Sequence, residues 1–424
     1  MKLLKNEKII NILEKSLNFV DARLMDHGKR VAYRVYRMLE PQNKYDEKML
    51  RDICVLAMLH DIGAYKTEEI DKMAVFEELV VWEHSVYGYL FLKYFSPLKD
   101  LSQAILFHHA NCAEIVYADP FIQELAQLIF ICDRADIFSL AEHGPNAFQK
   151  HIENARGKQF RSDIIDMFLS ADTNLVSIAD CINCDEKFNR ILYETPLSGE
   201  EVDKYLEMVI FSIDFRSHQT VFHTITTTGI SACLGRLMGM NEEEIEIIKT
   251  GAMLHDIGKI GIPISILESP NRLTPEEFAI MKTHVEVGEK IIKGSVHEEI
   301  ISIAGHHHEK INGTGYPKKL GASELSRSDR IVAVADIFSA LCSKRTYKEE
   351  FPKETITKIL TEMVQEGLVD PEIASLSITH TDEILDDIQK ISAPVLEAYD
   401  TLNNDYKHIL DCINRSDFKT IALV

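Results

Sequence analysis

Long apolar runs, cysteine, basic charge and β-type alternation are all scarce in this 424-residue chain, and each scarcity excludes something. No stretch approaches the roughly 18 consecutive apolar residues that a membrane span needs, so the chain is not expected to enter a membrane. Eight cysteines in a chain of this length cannot make a dense disulfide framework. The one close pair, Cys181 and Cys184, has no second pair to complete a zinc site, and reads as two ordinary thiols of a cytosolic protein. With 67 acidic against 46 basic residues the formal charge is −21, which repels a long polyanion and excludes DNA as an expected partner. Any phosphate ligand must then be held by local cations. Because alternating β-rich runs between tight turns are rare and helical spacing is everywhere, the fold class expected is all-α.

The length fits two domains of about 150 to 200 residues each. Pro, Ser and Gly interrupt two helical patterns in "ETPLSGEE", Glu194 to Glu201, so the boundary is placed there, giving domains 1–195 and 196–424. The opening "MKLLKNEKIINILEK" reads as an amphipathic helix instead of a signal peptide, and a cytoplasmic location is expected. Two helix starts are legible as capping boxes, Asn241 with Glu244 and Thr274 with Glu277, the second having Pro275 at its first helical position. After about Pro371 the chain becomes an acidic helical tail suited to packing or to homodimer contacts.

A repeat emerges when polar residues are followed. The first half carries His27, His60-Asp61, His84, His108-His109 and Asp133; the second carries His223, His255-Asp256, His284, His307-His308 and Asp336. The order is the same, and the step from the first histidine to the His-Asp pair is 33 residues in one copy and 32 in the other. Seventeen histidines placed by chance would not fall into one ordered pattern twice.

Five imidazoles and two carboxylates with no thiolate suit two divalent metals, Fe or Mn first and Zn also allowed. With Asp256 and a hydroxide bridging two six-coordinate ions, about two coordination positions stay open for phosphate oxygens or water. Such a centre makes hydroxide near neutral pH and stabilises charge on a phosphorus under in-line attack. Lys259 would lie on the face of His255 if the helix continued that far, where its ammonium could hold phosphate. The first copy has Ala64 in that position. Gly313 and Gly315 in "HHEKINGTGYP" allow a tight turn after the His pair, and Tyr316 with Pro317 could reach back over the metals as a lid or substrate loop. The first copy has neither glycine. Arg345 and Lys348 in "SKRTYK" follow Asp336 and are placed to meet a second phosphate. His306 reads as an exposed neighbour on the same helix.

Together "HDIGKIGIP", "LTPEE", His284, "HHE" with "GTGYP", "VADIF" and "RTYK" make residues 214–371 resemble an HD-GYP domain, the branch of the HD metal-dependent phosphohydrolases that cleaves cyclic dinucleotides. The first half resembles a degenerate HD domain. The resemblance implies two tandem HD-type helical domains. Its expected activity is a phosphodiesterase acting on cyclic di-GMP or cyclic GMP-AMP to give linear product. Gln219 stands where some members have a glutamate for a third metal, Ser339 where many have a second aspartate, and Asn312 where aspartate is commoner. The first-half set reads as a second metal site or as a relic core, with a regulatory or structural role and with signalling partners reached through that domain or the C-terminal helices. The alternative reading of the whole is a cyclic-dinucleotide sensor in which turnover is vestigial.

Overall fold

A computed structural model of the chain describes residues 8–19, 22–64, 82–140, 145–171, 185–214, 220–269, 271–343 and 353–423. Among these residues there are helices, short 3-10 turns and two isolated bridges, and no strand, which is the all-α class read from the spacing. None of the described helices is long and apolar enough to cross a membrane. Cys181, Cys184, Gln219, Arg345 and Lys348 lie outside the described residues.

The chain forms two compact units, Asn6–Glu207 with Tyr399–Val424, and Met208–Ala398. This division differs from a single cut at 195/196 in two ways. The helix Gly199–Asp214 runs through the first junction, and its start is fixed to the N-terminal unit. Ser198 and Glu201 form a capping box: the Ser198 amide donates to Glu201 Oε2 at 2.7 Å and the Glu201 amide to Ser198 Oγ at 3.2 Å. The fully buried Arg51 then donates to Glu201 Oε1 at 2.8 Å and to the Pro196 carbonyl at 2.9 Å. "ETPLSGEE" is therefore the anchored entry to a helix of the first unit, because a Pro-Ser-Gly run marks a helix start as well as a linker.

The acidic tail is also divided. The helix Thr381–Asn414 begins in the C-terminal unit, but from Tyr399 it packs with N-terminal residues. Tyr406 stacks on Tyr87 with centroids 3.9 Å apart, Tyr94 donates its hydroxyl to Asp405 at 2.6 Å, and Tyr399 meets Phe95 at 5.1 Å.

Within each unit the same helix order recurs. In the C-terminal unit Thr220–Leu237 packs on both Glu242–Leu254 and Arg327–Ser343, while Pro275–Ile292 covers the 3-10 turn Ile257–Gly261. In the N-terminal unit Ala22–Leu39 packs on Glu47–Met58 and Pro120–Leu140. Both capping boxes read from the sequence are present, at Asn241/Glu244 and Thr274/Glu277.

Burial raises the Glu201 carboxyl, but the Ser198 amide and hydroxyl, Lys48 and Arg51 outweigh it and lower it from 4.5 to about 2. A depressed carboxylate contributes stability above its unfolded value and loses it as pH falls through the folded one. Glu201→Ala should therefore cost about 1 kcal/mol near neutral pH, or about 2–4 °C of Tm for a unit of this size. The gap from wild type should narrow between pH 4.5 and about 2. Thermal melts at a series of pH values read this directly, and a gap independent of pH would refute the assignment.

Candidate metal centre

The centre is built around a turn that needs glycine. Helix Glu242–Leu254 stops at His255, and Asp256 leads into the 3-10 turn Ile257–Gly261. A Cβ on Gly258 would sit 1.8 Å from the His284 carbonyl oxygen and 2.5 Å from the Gly288 amide nitrogen. Only glycine lets the turn press against the backbone of the His284 helix. In the first copy a Cβ on Gly63 would lie 2.0 Å from the His84 carbonyl oxygen and 2.6 Å from the Gly88 nitrogen. His-Asp-Ile-Gly is thus written twice because each copy makes the same close approach.

Backbone carbonyls aim the imidazoles. Nδ1 of His255 meets the Ala252 carbonyl at 2.5 Å, that of His284 the Met281 carbonyl at 2.7 Å, and that of His307 the Ala304 carbonyl at 2.8 Å. A carbonyl only accepts, so each Nδ1 carries the proton and each Nε2 turns a lone pair inward. There the Asp256 carboxylate lies between two groups of histidines. Its Oδ1 faces His284 Nε2 at 3.5 Å and His307 Nε2 at 3.9 Å; its Oδ2 faces His255 Nε2 at 3.2 Å and His223 Nε2 at 3.7 Å. Asp336 Oδ1 lies 2.8 Å from His223 Nε2, and Oδ2 lies 3.7 Å from His308 Nδ1. All seven second-half residues expected as ligands therefore converge.

The two carboxyls, His284 and His307 have the charge states of ligands, whereas Asp256 and Asp336 outweigh burial and raise His255. Burial raises both carboxyls, yet His255, Lys259 and His284 hold Asp256 well below the usual carboxylate range, and His223, His308 and His255 do the same for Asp336. Burial pushes His284 down to about 3 and His307 well below its ordinary value, so both are neutral near pH 7. Ligand atoms of His223, His255 and Asp256 lie within 4.8 Å of one another, as do those of His284, His307 and His308. His255 Nε2 is buried without a hydrogen-bond partner. An acceptor nitrogen left so costs about 1–3 kcal/mol, which a bound cation removes. The donor set fits two divalent ions with nitrogen and oxygen preferences.

Lys259 reaches the centre by a route other than the one read from the spacing. Its helix has ended, and the 3-10 turn brings Nζ to 2.5 Å from Asp256 Oδ2. The "GTGYP" loop turns at Gly313 (φ 76°) and lays the Tyr316 ring 4.7 Å from that of His308; the Tyr316–Pro317 bond is cis. Sequence reasoning missed three contributors. The buried Glu309 accepts from the amides of Lys318 at 2.6 Å, Lys319 at 3.0 Å and Leu320 at 3.0 Å, holding the loop's far limb. Phe278, 45% exposed, meets Tyr316 edge to face at 6.2 Å, and Lys282 Nζ lies 5.9 Å from the Tyr316 centroid. Phe278 and Lys282 follow the "LTPEE" start by one and two turns at helical spacing, which is the signal that could have placed them on one face. Ser339 keeps an outer contact despite replacing aspartate, with Oγ 3.1 Å from His223 Nδ1. His306, read as exposed, is half-buried against Asp329, Nδ1 to Oδ2 3.4 Å, because its helix face is covered by Arg327–Ser343.

The seven first-half residues converge as well, with Asp61 in the place of Asp256. Behind them Asp136, three residues after Asp133, accepts from Arg30, Arg34 and His27.

Residues 206–373 match the HD domain family. Over 178 residues the chain is 38% identical to a 3'3'-cGAMP-specific phosphodiesterase 2 of Vibrio cholerae, covering 41% of this chain and 34% of that protein. A 3'3'-cGAMP-specific phosphodiesterase 1 of the same organism is 24% identical over 393 residues, covering 88% and 90%. A cyclic di-GMP phosphodiesterase of Thermotoga maritima is 39% identical over 184 residues, covering 43% and 50%. The chain thus spans about a third and a half of two of these relatives and nine tenths of the other. A crystal structure of a cyclic GMP-AMP-specific phosphodiesterase from V. cholerae shares the fold at a TM-score of 0.52 and 18% identity, over 90% of this chain and 98% of that one. Family match and relatives agree that residues 206–373 carry an HD domain similar to those of proteins named cyclic-dinucleotide phosphodiesterases.

Proposed function

We propose that the C-terminal unit hydrolyses one phosphodiester of a cyclic dinucleotide to a linear product. The observation that carries this is the Asp256 carboxylate, with each oxygen turned to a different group of imidazoles and Lys259 at its rim. The names of the relatives supply the substrate class. His223, His255, Asp256, His284, His307, His308 and Asp336 would hold divalent ions, which would supply the charge that makes water nucleophilic near neutral pH and offsets charge on phosphorus. Fe or Mn suits this donor set best.

The chain's own residues do the rest. Lys259, with its side chain 21% exposed, offers an ammonium to a phosphate oxygen at the rim of the centre. Tyr316 and Phe278 present aromatic faces beside His308 on which a purine stacks, and Lys282 adds positive charge next to them. Glu309 is a positioning residue, because it fixes the loop that carries Tyr316. Arg345 and Lys348 remain proposed contacts for the second phosphate. In the net reaction the phosphorus gains the water oxygen, one ester bond to a sugar oxygen breaks, and that oxygen takes a proton.

The primary test incubates Mn-loaded and Fe-loaded protein with cyclic di-GMP and with cyclic GMP-AMP and follows linear product. Binding of either nucleotide without turnover under both metals would select a sensor instead. Asp256→Ala should abolish turnover, whereas Asp61→Ala should leave at least part of it; complete loss in both would bring the first site into the reaction. Lys259→Met should lower kcat by about 10²- to 10³-fold with metal content unchanged, and wild-type kcat in that variant would remove the lysine from the mechanism.

Glu309→Ala leaves three loop amides without their acceptor, at about 1–3 kcal/mol for each that stays buried. Its KM should rise while bound metal stays constant. A fall in metal content with unchanged KM would make Glu309 a support for the cluster instead of the loop.

A further inference from the structure

The first-half cluster reproduces the second contact by contact. His60 Nε2 lies 3.3 Å from Asp61 Oδ2, where His255 lies 3.2 Å from Asp256. His84 and His108 stand 3.7 and 3.6 Å from Asp61 Oδ1, against 3.5 and 3.9 Å for His284 and His307 from Asp256. His27 lies 3.8 Å from Asp61 Oδ2 and 3.2 Å from Asp133 Oδ1, and His109 lies 3.8 Å from Asp133 Oδ2. Nδ1 of His60 and of His108 again meet carbonyls three residues back, Ala57 at 2.8 Å and Ile105 at 2.5 Å, so their Nε2 lone pairs face inward.

An inert relic core would have closed over these groups with apolar side chains or paired them. Instead His60 Nε2, His108 Nε2 and Asp61 Oδ1 are buried with no hydrogen-bond partner. Three such atoms converging on one point would together cost several kcal/mol. Divalent cations with nitrogen and oxygen preferences satisfy all three. We infer that the N-terminal unit holds its own pair of divalent cations, one between Asp61, His84, His108 and His109 and the other between His27, His60, Asp61 and Asp133. This inference stands apart from the reading of the C-terminal unit as a phosphodiesterase.

The surroundings make this second centre a structural one. The lysine is replaced by the fully buried Ala64. The outer oxygen of Asp133 is held by Arg134, Nη2 to Oδ2 2.8 Å, where the second copy has Ile337 and leaves the equivalent oxygen to His308. Behind His27 stands the Asp136 carboxylate, Oδ2 to Nδ1 2.7 Å, in place of the Ser339 hydroxyl, a partner that makes the imidazole a stronger metal base. Cations bound there stabilise the folded unit without cleaving a phosphodiester.

The test uses the full chain with His255→Ala and Asp256→Ala, which disables the C-terminal centre. After loading with Mn(II) and desalting, elemental analysis should find about two ions per chain, and EDTA should lower Tm, with Mn(II) restoring it. Adding His60→Ala and Asp61→Ala should remove those ions. His108→Gln alone, checked for helicity by circular dichroism, should lower Mn(II) affinity at least 10-fold. No metal above an unrelated control protein in the first variant, with helicity retained, would overturn the inference, as would unchanged metal content in the last two. Turnover is absent from these readouts, so failure here leaves the hydrolase proposal standing, and the reverse holds equally.

Discussion

A single buried carboxylate with its two oxygens facing different sets of imidazoles is the constraint on which the C-terminal unit turns. Asp256 Oδ1 faces His284 and His307, and Oδ2 faces His255 and His223, so the elements that carry these imidazoles must all come within 3.9 Å of one side chain. The positions of three of these imidazoles are inherited from backbone carbonyls one turn back, which makes ligand geometry a property of helix packing. Crowding imidazoles around buried carboxylates is costly unless cations complete the set, so any ion bound there would add its binding free energy to that of folding.

How much of this was legible depended on sequence distance. Adjacent and near-adjacent signals were readable: the His-Asp and His-His pairs, the two capping boxes, and the glycines of the "GTGYP" turn. The repeat made all fourteen candidate ligands readable, because a duplicated spacing carries information that no single histidine does. Contacts made by tertiary approach were not readable. Nothing in the spacing tells that Glu309 will accept the amides of Lys318 to Leu320, or that Arg51 will reach Glu201 across about 150 residues. The division into contact-based units was not readable for the same reason. Pro-Ser-Gly announces a helix start, but only the partner of that start decides which unit owns it. The route of Lys259 also escaped, since the change from α to 3-10 winding after His255 comes from the packing of Gly258 on the His284 helix.

The two copies show how little must change to redirect one frame. Gly63 and Gly258 make the same approach, and the ligand distances agree within a few tenths of an ångström. The differences sit in the surrounding groups: Lys259 against Ala64, Ile337 against Arg134, Ser339 against Asp136, and a glycine loop against "ANCAEIVYADP". Each first-copy residue either removes a cation that could meet substrate or commits one to a protein carboxylate. Arg134 is tied to Asp133, and Arg30 and Arg34 to Asp136. In the second copy Lys259 pairs with Asp256 while its side chain stays 21% exposed, and Lys282 lies beside the Phe278 and Tyr316 rings.

That distribution resolves a conflict in the overall charge. A chain with formal charge −21 should repel a dinucleotide carrying two phosphates. The repulsion is general and is screened over about a Debye length, whereas the site's field is local and acts among buried groups. In the C-terminal unit two divalent ions held by the cluster would carry more charge than Asp256 and Asp336 neutralise, so a loaded centre would be locally positive. In the N-terminal unit Arg30 and Arg34 share the buried Asp136 carboxylate and Arg134 pairs with Asp133, so these guanidinium groups are held by protein carboxylates. The groups around the ligands, Lys259 and the Tyr316 loop in one copy and Arg134 with Asp136 in the other, separate the two clusters more than the ligands themselves do.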